Sequence, residues 1–210
     1  MDITFISDTH GLHYRLNLSG GTVLVHSGDI TEYGTDEEVI DFLDWFCWQP
    51  YLYKIFIGGN HDLYLEAMNK SDRRKLIPSN VIYLQKSGIE IEGLKFWGSP
   101  VTPRFLGMAF NVRAGEEIKR NWQMIPADTD ILITHGPPHG ILDNEMGDEE
   151  LLSQIQKIKP RIHCFGHIHG TSGVQILNGT TFINSAMVNF PDPLKMEDYR
   201  IVGKPISYSL

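Results

Sequence analysis

Cysteine is almost absent: Cys47 and Cys164 are the only two in 210 residues, far apart and without a CxxC partner. That excludes a disulfide-stapled scaffold and a thiolate zinc finger, and points to a reduced, cytoplasmic chain with two core thiols. Long apolar runs are also missing. The stretch from Asp130 to Thr134 is typical of the longest, far short of the roughly 20 residues that a membrane-crossing helix needs. No basic segment with an apolar stretch and a small-residue cleavage site precedes the first strand-like run, Ile3 to Ile6, so export by that route is not expected. Basic charge is scarce: 18 Lys and Arg stand against 26 Asp and Glu, a formal net charge of -8. Such a balance disfavours a broad surface for tracking duplex nucleic acid. It leaves phosphate substrates open, because bound cations would reverse the local sign. No internal repeat, low-complexity tract or Ser/Gly linker divides the chain, so residues 1–210 are expected to form one domain.

What is present is an ordinary globular composition, 41% hydrophobic and 21% charged, with nine histidines. Short β-like runs recur at Ile3 to Ile6, Thr22 to His26, Tyr53 to Ile57, Val81 to Leu84, Lys95 to Trp97, Ile131 to Thr134 and Arg161 to Phe165. Thr180 to Ile183 and a stretch near Ile201 to Tyr208 add candidates. Several runs are apolar without alternation, as in strands covered on both faces. Between them, Thr35 and Glu38 have the capping-box spacing ahead of the apolar stripe Val39, Phe42, Leu43 and Phe46. Gly115 to Met124 and Asp148 to Ile158 read as further amphipathic helices. Residues 98–115, with Pro100, Pro103 and Gly107, read as a long irregular loop, either a substrate lid or a plain surface excursion. This alternation favours a layered α/β fold with the helices outside.

Five clusters sit at the downstream ends of predicted strands, where open α/β sheets place ligands: Asp8-Thr-His10, Gly28-Asp29, Gly59-Asn-His-Asp62, Thr134-His-Gly136 and Gly166-His-Ile-His169. In extended backbone, residues i and i+2 project on one side, so Asp8 with His10, and His167 with His169, can converge. The adjacent glycines let the chain turn sharply beside a ligand. Carboxylate, amide oxygen and imidazole together make a nitrogen–oxygen donor set that suits manganese first, with iron, zinc or cobalt as alternatives. Any one of these motifs alone is weak; all five in this order are specific.

Together, DTH, GD, GNHD, TH and GHIH resemble the calcineurin-like metallophosphoesterase superfamily over Asp2 to about Asn184. The stretch Ile125 to Asp143, with Thr-Asp-Ile-Leu-Ile-Thr-His-Gly-Pro-Pro, looks closer still to its metallophosphoesterase-domain-containing branch, first described from brain, and that branch's microbial relatives, and Trp97-Gly-Ser-Pro100 supports this. The resemblance implies a four-layer αββα sandwich of two mixed sheets. It implies two divalent metal ions, one on Asp8, His10, Asp29 and His169, the other on Asn60, His135 and His167, with Asp29 bridging. A hydroxide held between the metals would attack phosphorus in line. His61 would protonate the leaving group. Asp62 would either orient the His61 ring or serve as the N-cap of the Leu63 to Met68 segment.

His26 and His163 sit inside strands and read as core or supporting residues, and His13 as a loop residue near a ligand segment, with substrate contact as the alternative. His139 reads mainly as a loop residue and joins Asn60, His61, Arg104 and Arg113 as a candidate substrate contact. Phosphoprotein phosphatases of the superfamily carry an Arg in the segment after GD; here Tyr33 stands there. A guanidinium clamps a dianionic monoester through paired hydrogen bonds, whereas a diester has one charge fewer. The expected substrate is therefore a small phosphodiester, and the branch resemblance implies the same, cyclic nucleotides included. A monoester and a non-catalytic metal-binding scaffold are the alternatives, and the oligomeric state is left open.

Overall fold

The computed structural model describes residues 1–189 and 200–210. The early strands are β1 (Asp2–Ile6), β2 (Gly21–His26), β3 (Tyr51–Phe56), β4 (Ile82–Tyr83), β5 (Ser87–Ile91) and β6 (Leu94–Ser99). Two short ones, β7 (Thr102–Pro103) and β8 (Asn111–Val112), precede β9 (Ile131–Thr134), β10 (Ile162–Phe165), β11 (Gly173–Leu177) and β12 (Thr180–Asn184). The last are β13 (Val188–Asn189), β14 (Arg200–Ile201) and β15 (Ile206–Ser209). The helices are α1 (Asp36–Cys47), α2 (Leu63–Ala67), α3 (Lys70–Leu76), α4 (Glu116–Trp122) and α5 (Glu149–Ile158).

Two mixed sheets hold the fold. One runs β15-β1-β2-β3-β4 and the other β11-β12-β10-β9-β6-β5. Within each, the inner strands are parallel, and β15, β11 and β5 add antiparallel edges. Side-chain alternation builds the layers. Ile3, Phe5, Val23, Val25, Ile55 and Ile57 meet Phe96, Ile131, Ile133, Ile162, Cys164 and Ile183 between the sheets. Their neighbours Ile6, Leu24 and Phe56 point the other way, under Val39, Phe42 and Phe46 of α1. On the far side Trp97, Leu132, Phe165 and Phe182 lie beneath Ile118 and Trp122 of α4 and Leu151 and Ile155 of α5. The order is thus helix, sheet, sheet, helix, and strands apolar on both faces explain the unalternated runs.

The capping box forms as the sequence implies: Thr35 Oγ1 accepts from Glu38 N at 3.3 Å and Glu38 Oε2 from Thr35 N at 3.1 Å. Asp148 caps α5 and also accepts from Trp122 Nε1 at 2.8 Å, locking α4 to α5. Three features differ from the sequence expectation. β5 and β11 are additional strands, joined to β6 and β12 through tight turns at Glu92-Gly93 and Asn178-Gly179, where all four residues have positive φ. The 98–115 segment is not irregular throughout, because β7 and β8 pair inside it. The C-terminal candidate is split into β14 and β15, which belong to different sheets. Among the described residues, no helix is long and apolar enough to cross a membrane.

Candidate metal centre

The carboxyl ends of β1, β2, β3, β9 and β10 deliver the five sequence clusters to one place. Where β1 ends, its backbone stays bonded to the chain after β2: Asp8 N donates to Gly28 O at 2.9 Å and Thr9 N to Asp29 O at 3.0 Å. Asp8, His10, Asp29 and His167 all adopt left-handed backbone, with φ of 51°, 42°, 55° and 68°. Non-glycine residues rarely sit there, at a cost of roughly 1–3 kcal/mol each. Neighbouring segments hold them in place. The Asp8 carboxylate accepts from His167 N at 2.9 and 3.0 Å, and Asp29 Oδ1 from His61 N at 2.8 Å.

Donor atoms gather in three groups, each with ligand atoms within 4.8 Å of one another: Asp8 with His10 and His169, Asp29 with His135 and His167, and His10 with Glu32 and His61. The first two hold the candidates for the two metals. Asp29 Oδ2 faces both, at 3.7 Å from His10 Nε2 and 3.2 Å from His135 Nε2. Asn60 joins the second group, its Oδ1 2.9 Å from His135 Nε2. The other ring nitrogen, His135 Nδ1, lies 2.9 Å from Ser27 O, an acceptor that places the Nδ1 proton and turns Nε2 toward the cluster.

The electrostatics suit cations. Burial disfavours charge on His135, yet Asp29 beside it pushes its pKa up to about 9. Asp8 is likewise buried, which works against ionisation, but His169 and His135 hold it down to about 2. Burial and then the charge of His135 lower His167 to about 4, which keeps a neutral imidazole lone pair. The packing leaves room for nothing larger than glycine beside the carboxylates. A Cβ at Gly166 would stand 1.9 Å from Asp8 Oδ2, and one at Gly59 2.3 Å from Asp29 Oδ1. A buried, hydrogen-bonded set of nitrogen and oxygen donors of this kind fits divalent transition metals.

Asp62 stands at the N-cap position of α2, as one expectation had it, but its side chain neither caps the helix nor meets the His61 ring. Its fully buried carboxylate accepts from Gly59 N at 2.7 Å, Thr31 N at 3.0 Å and Thr31 Oγ1 at 2.7 Å. It bolts the Asp29 loop to the Asn60 loop, makes no capping hydrogen bond to α2, and is lifted to about 6 by burial and by the charge of Asp29. The His61 ring instead places Nδ1 2.8 Å from the Glu32 carbonyl oxygen, with its face edge-on to His10. Glu32 is the residue the sequence reasoning missed: its Oε2 is 2.9 Å from His10 Nδ1, so one residue positions both histidines. A carboxylate three residues after Asp29 was the available signal.

His26 supports the site, with Nε2 3.0 Å from Thr9 Oγ1 and Nδ1 accepting from Gly28 N. His163 sits 2.7 Å from Thr134 Oγ1. His13 is buried against Trp45 rather than lying in an open loop. Arg104 and Arg113 are exposed, and among the described residues no hydrogen bond or ion pair ties either side chain to the cluster. His139 is partly exposed and lies 3.7 Å from Asp143 Oδ2.

Residues 1–171 match the family model of the calcineurin-like phosphoesterases. The chain is 37% identical to human metallophosphoesterase domain-containing protein 1, over 98% of this chain and 69% of that protein. It is also 37% identical to a UPF0046 protein of Caenorhabditis elegans, over 90% of this chain and 70% of that one. Among solved structures, TT1561 of Thermus thermophilus has a TM-score of 0.57 at 12% identity, covering 87% of this chain and 88% of its own. That likeness speaks for the fold alone.

Proposed function

This chain belongs to the calcineurin-like phosphoesterase family, and from that premise we propose that it is a phosphodiesterase working with two divalent cations. The observation that carries the reading is Asp29, whose single Oδ2 faces His10 Nε2 on one side and His135 Nε2 on the other. Asp8, His10 and His169 would hold one cation with Asp29, and Asn60, His135 and His167 the other. Bound there, the cations would supply Lewis acidity, offset the charge on the phosphoryl oxygens and make water acidic enough to act as a nucleophile.

The chain's own residues do the rest. The Glu32 carbonyl accepts from His61 Nδ1–H, so Nε2 is the ring atom that would hand a proton from the doubly protonated imidazole to a departing alkoxide. Asn60 turns Oδ1 to His135, so its amide Nδ2 is the group left to donate to a phosphoryl oxygen. Glu38 braces the segment that positions His61, since its Oε1 accepts from Glu32 N at 2.9 Å and its Oε2 from Tyr33 N at 3.0 Å. Tyr33 itself is 69% exposed. With no guanidinium from that segment and Arg104 and Arg113 untied to the cluster, a dianionic monoester lacks its paired donors. A monoanionic diester, nucleotide-like and small, matches the site better. Manganese is the metal to try first, and the two free thiols favour a reducing, cytoplasmic setting.

The test is turnover of bis(p-nitrophenyl) phosphate against p-nitrophenyl phosphate by purified protein loaded with Mn²⁺, Fe²⁺, Co²⁺ or Zn²⁺. Faster diester cleavage with two equivalents of metal bound is expected. A folded, fully loaded protein that cleaves neither ester overturns the enzymatic reading, and one that prefers the monoester overturns the diester assignment.

A further inference from the structure

The six-stranded sheet ends at β11, which pairs only with β12 among the described residues. The hairpin joining them fixes which backbone groups look outward. Asn178 and Gly179 both have positive φ, 51° and 87°, as in a two-residue type I′ turn. The residues flanking such a turn, Leu177 and Thr180, form a hydrogen-bonded pair, and alternation adds Gln175 with Phe182 and Gly173 with Asn184. The N–H and C=O of Val174 and Ile176 are therefore the ones turned away from β12, at the open edge of the sheet.

The side chains there are apolar and exposed: Val174 at 49%, Ile176 at 69% and Leu177 at 41%. Val174 and Ile176 share a face with Ile183 and Thr181 of β12, where Tyr208 of the other sheet meets Thr181 Oγ1 at 3.3 Å, and β11 overhangs beyond that cover. No Asp, Glu, Lys or Arg occurs from Ile162 to Asn189. Edge strands are ordinarily blunted by charge, proline or shortness. The other edges of the two main sheets follow that rule. β4 has two residues, β5 carries Glu90 with Lys86 and Glu92 close by, and β15 exposes its serines while half-burying Ile206 and Tyr208.

We propose that β11 is the interface for a second copy of this chain, pairing antiparallel with its own counterpart about a two-fold axis at Gln175. That register is self-complementary. Val174 stands opposite the partner's Ile176 and Ile176 opposite the partner's Val174, so their outward N–H and C=O groups exchange hydrogen bonds in both directions. Gln175 faces the partner's Gln175, with no like charges opposed. The apolar surface continues into a cavity of about 350 Å³ between α5 and β11, lined by Leu152, Ile155, Leu177 and Phe182, which extends the contact beyond a bare ribbon. Any extended strand could satisfy the backbone; a second copy also returns the apolar pair in reversed order.

Sedimentation velocity of the full chain from about 1 to about 100 µM is expected to show a monomer–dimer equilibrium. Ile176→Lys, at a position exposed enough to leave circular dichroism unchanged, should raise the dissociation constant about tenfold or more. Gln175→Cys sets two thiols opposite each other at a non-hydrogen-bonded pair, with Cα atoms about 4.5 Å apart, and should give a disulfide-linked dimer under mild oxidation. Ser87→Cys on β5, at the other edge of the same sheet, should not, and neither should the wild type with Cys47 and Cys164 alone. A chain that stays monomeric throughout overturns the proposal, whatever else then covers the edge. So does a dimer that Ile176→Lys leaves intact, or one that cross-links equally well through Ser87→Cys.

Discussion

Replacing Gly166 by alanine tests how tightly the protein frame holds the candidate metal site. The added Cβ would stand 1.9 Å from Asp8 Oδ2, 2.2 Å from Ser7 Oγ and 2.8 Å from Ser7 Cβ, whereas real Cβ atoms essentially never come closer than 3.0 Å to such neighbours. Asp8 and the 166–169 loop must therefore separate by about 1 Å or more. The backbone of Gly166 is not left-handed, so alanine adds no torsional strain of its own. The displaced carboxylate is the one that accepts from His167 N at 2.9 Å and lies 3.3 Å from His169 Nε2, so both histidines shift with it. Overpacking of this kind costs about 1–3 kcal/mol, which for a chain of this size lowers the melting temperature by roughly 2–12 °C. A misplacement near 1 Å costs on the order of 100-fold where geometry governs reaction. Melting in EDTA reads the first effect; Mn²⁺ titration and diester turnover read the second. Gly170→Ala is the control, because a Cβ there meets nothing within 4 Å. If Gly166→Ala binds Mn²⁺ and turns over the diester within about threefold of wild type, the frame is far softer than these contacts imply.

Asp29→Asn keeps an oxygen for the His61 N–H, and asparagine tolerates the φ of 55°, so circular dichroism should be unchanged while metal stoichiometry and turnover collapse. In that variant without metal, His135 should also titrate below its value of about 9, visible by NMR, since Asp29 is what raises it against the opposing effect of burial. His61→Ala should retain its metals and lose on the order of 100-fold or more in rate with an alkoxide leaving group, and much less with p-nitrophenolate. Equal losses with both leaving groups would remove His61 from the proton-donor role. Burial holds His163 down to about 3, so between pH 6.5 and 3 the unfolded chain binds a proton there that the folded chain does not. Its contribution to stability is complete above pH 6.5 and falls as pH falls through that window, by about 2 kcal/mol at pH 5. Urea unfolding of the metal-free protein at pH 7 and 5 should show His163→Gln losing less stability on acidification than wild type by about that amount.

Much of the site was legible along the chain because strand geometry is local. Five short clusters at the ends of predicted strands were readable along the chain, and their order carries the family resemblance that implies Asp8, His10, Asp29, Asn60, His135, His167 and His169 as one set. The capping box ahead of α1 and the continuous apolar runs of β9 and β10 were readable for the same reason. The hairpin strands β5 and β11 were less so, since half-exposed edge strands carry weak alternation. What the tertiary structure alone decided is how the candidate ligands are held. Asp8 meets the backbone of His167 across 159 positions, and His135 meets the Ser27 carbonyl across 108. No local pattern encodes such partners. The same holds for Glu32 on His10, for the Glu32 carbonyl on His61, and for Asp62 bolting two loops together. The left-handed backbone at four candidate-ligand positions is a tertiary outcome too, because only contacts from distant segments can hold non-glycine residues there.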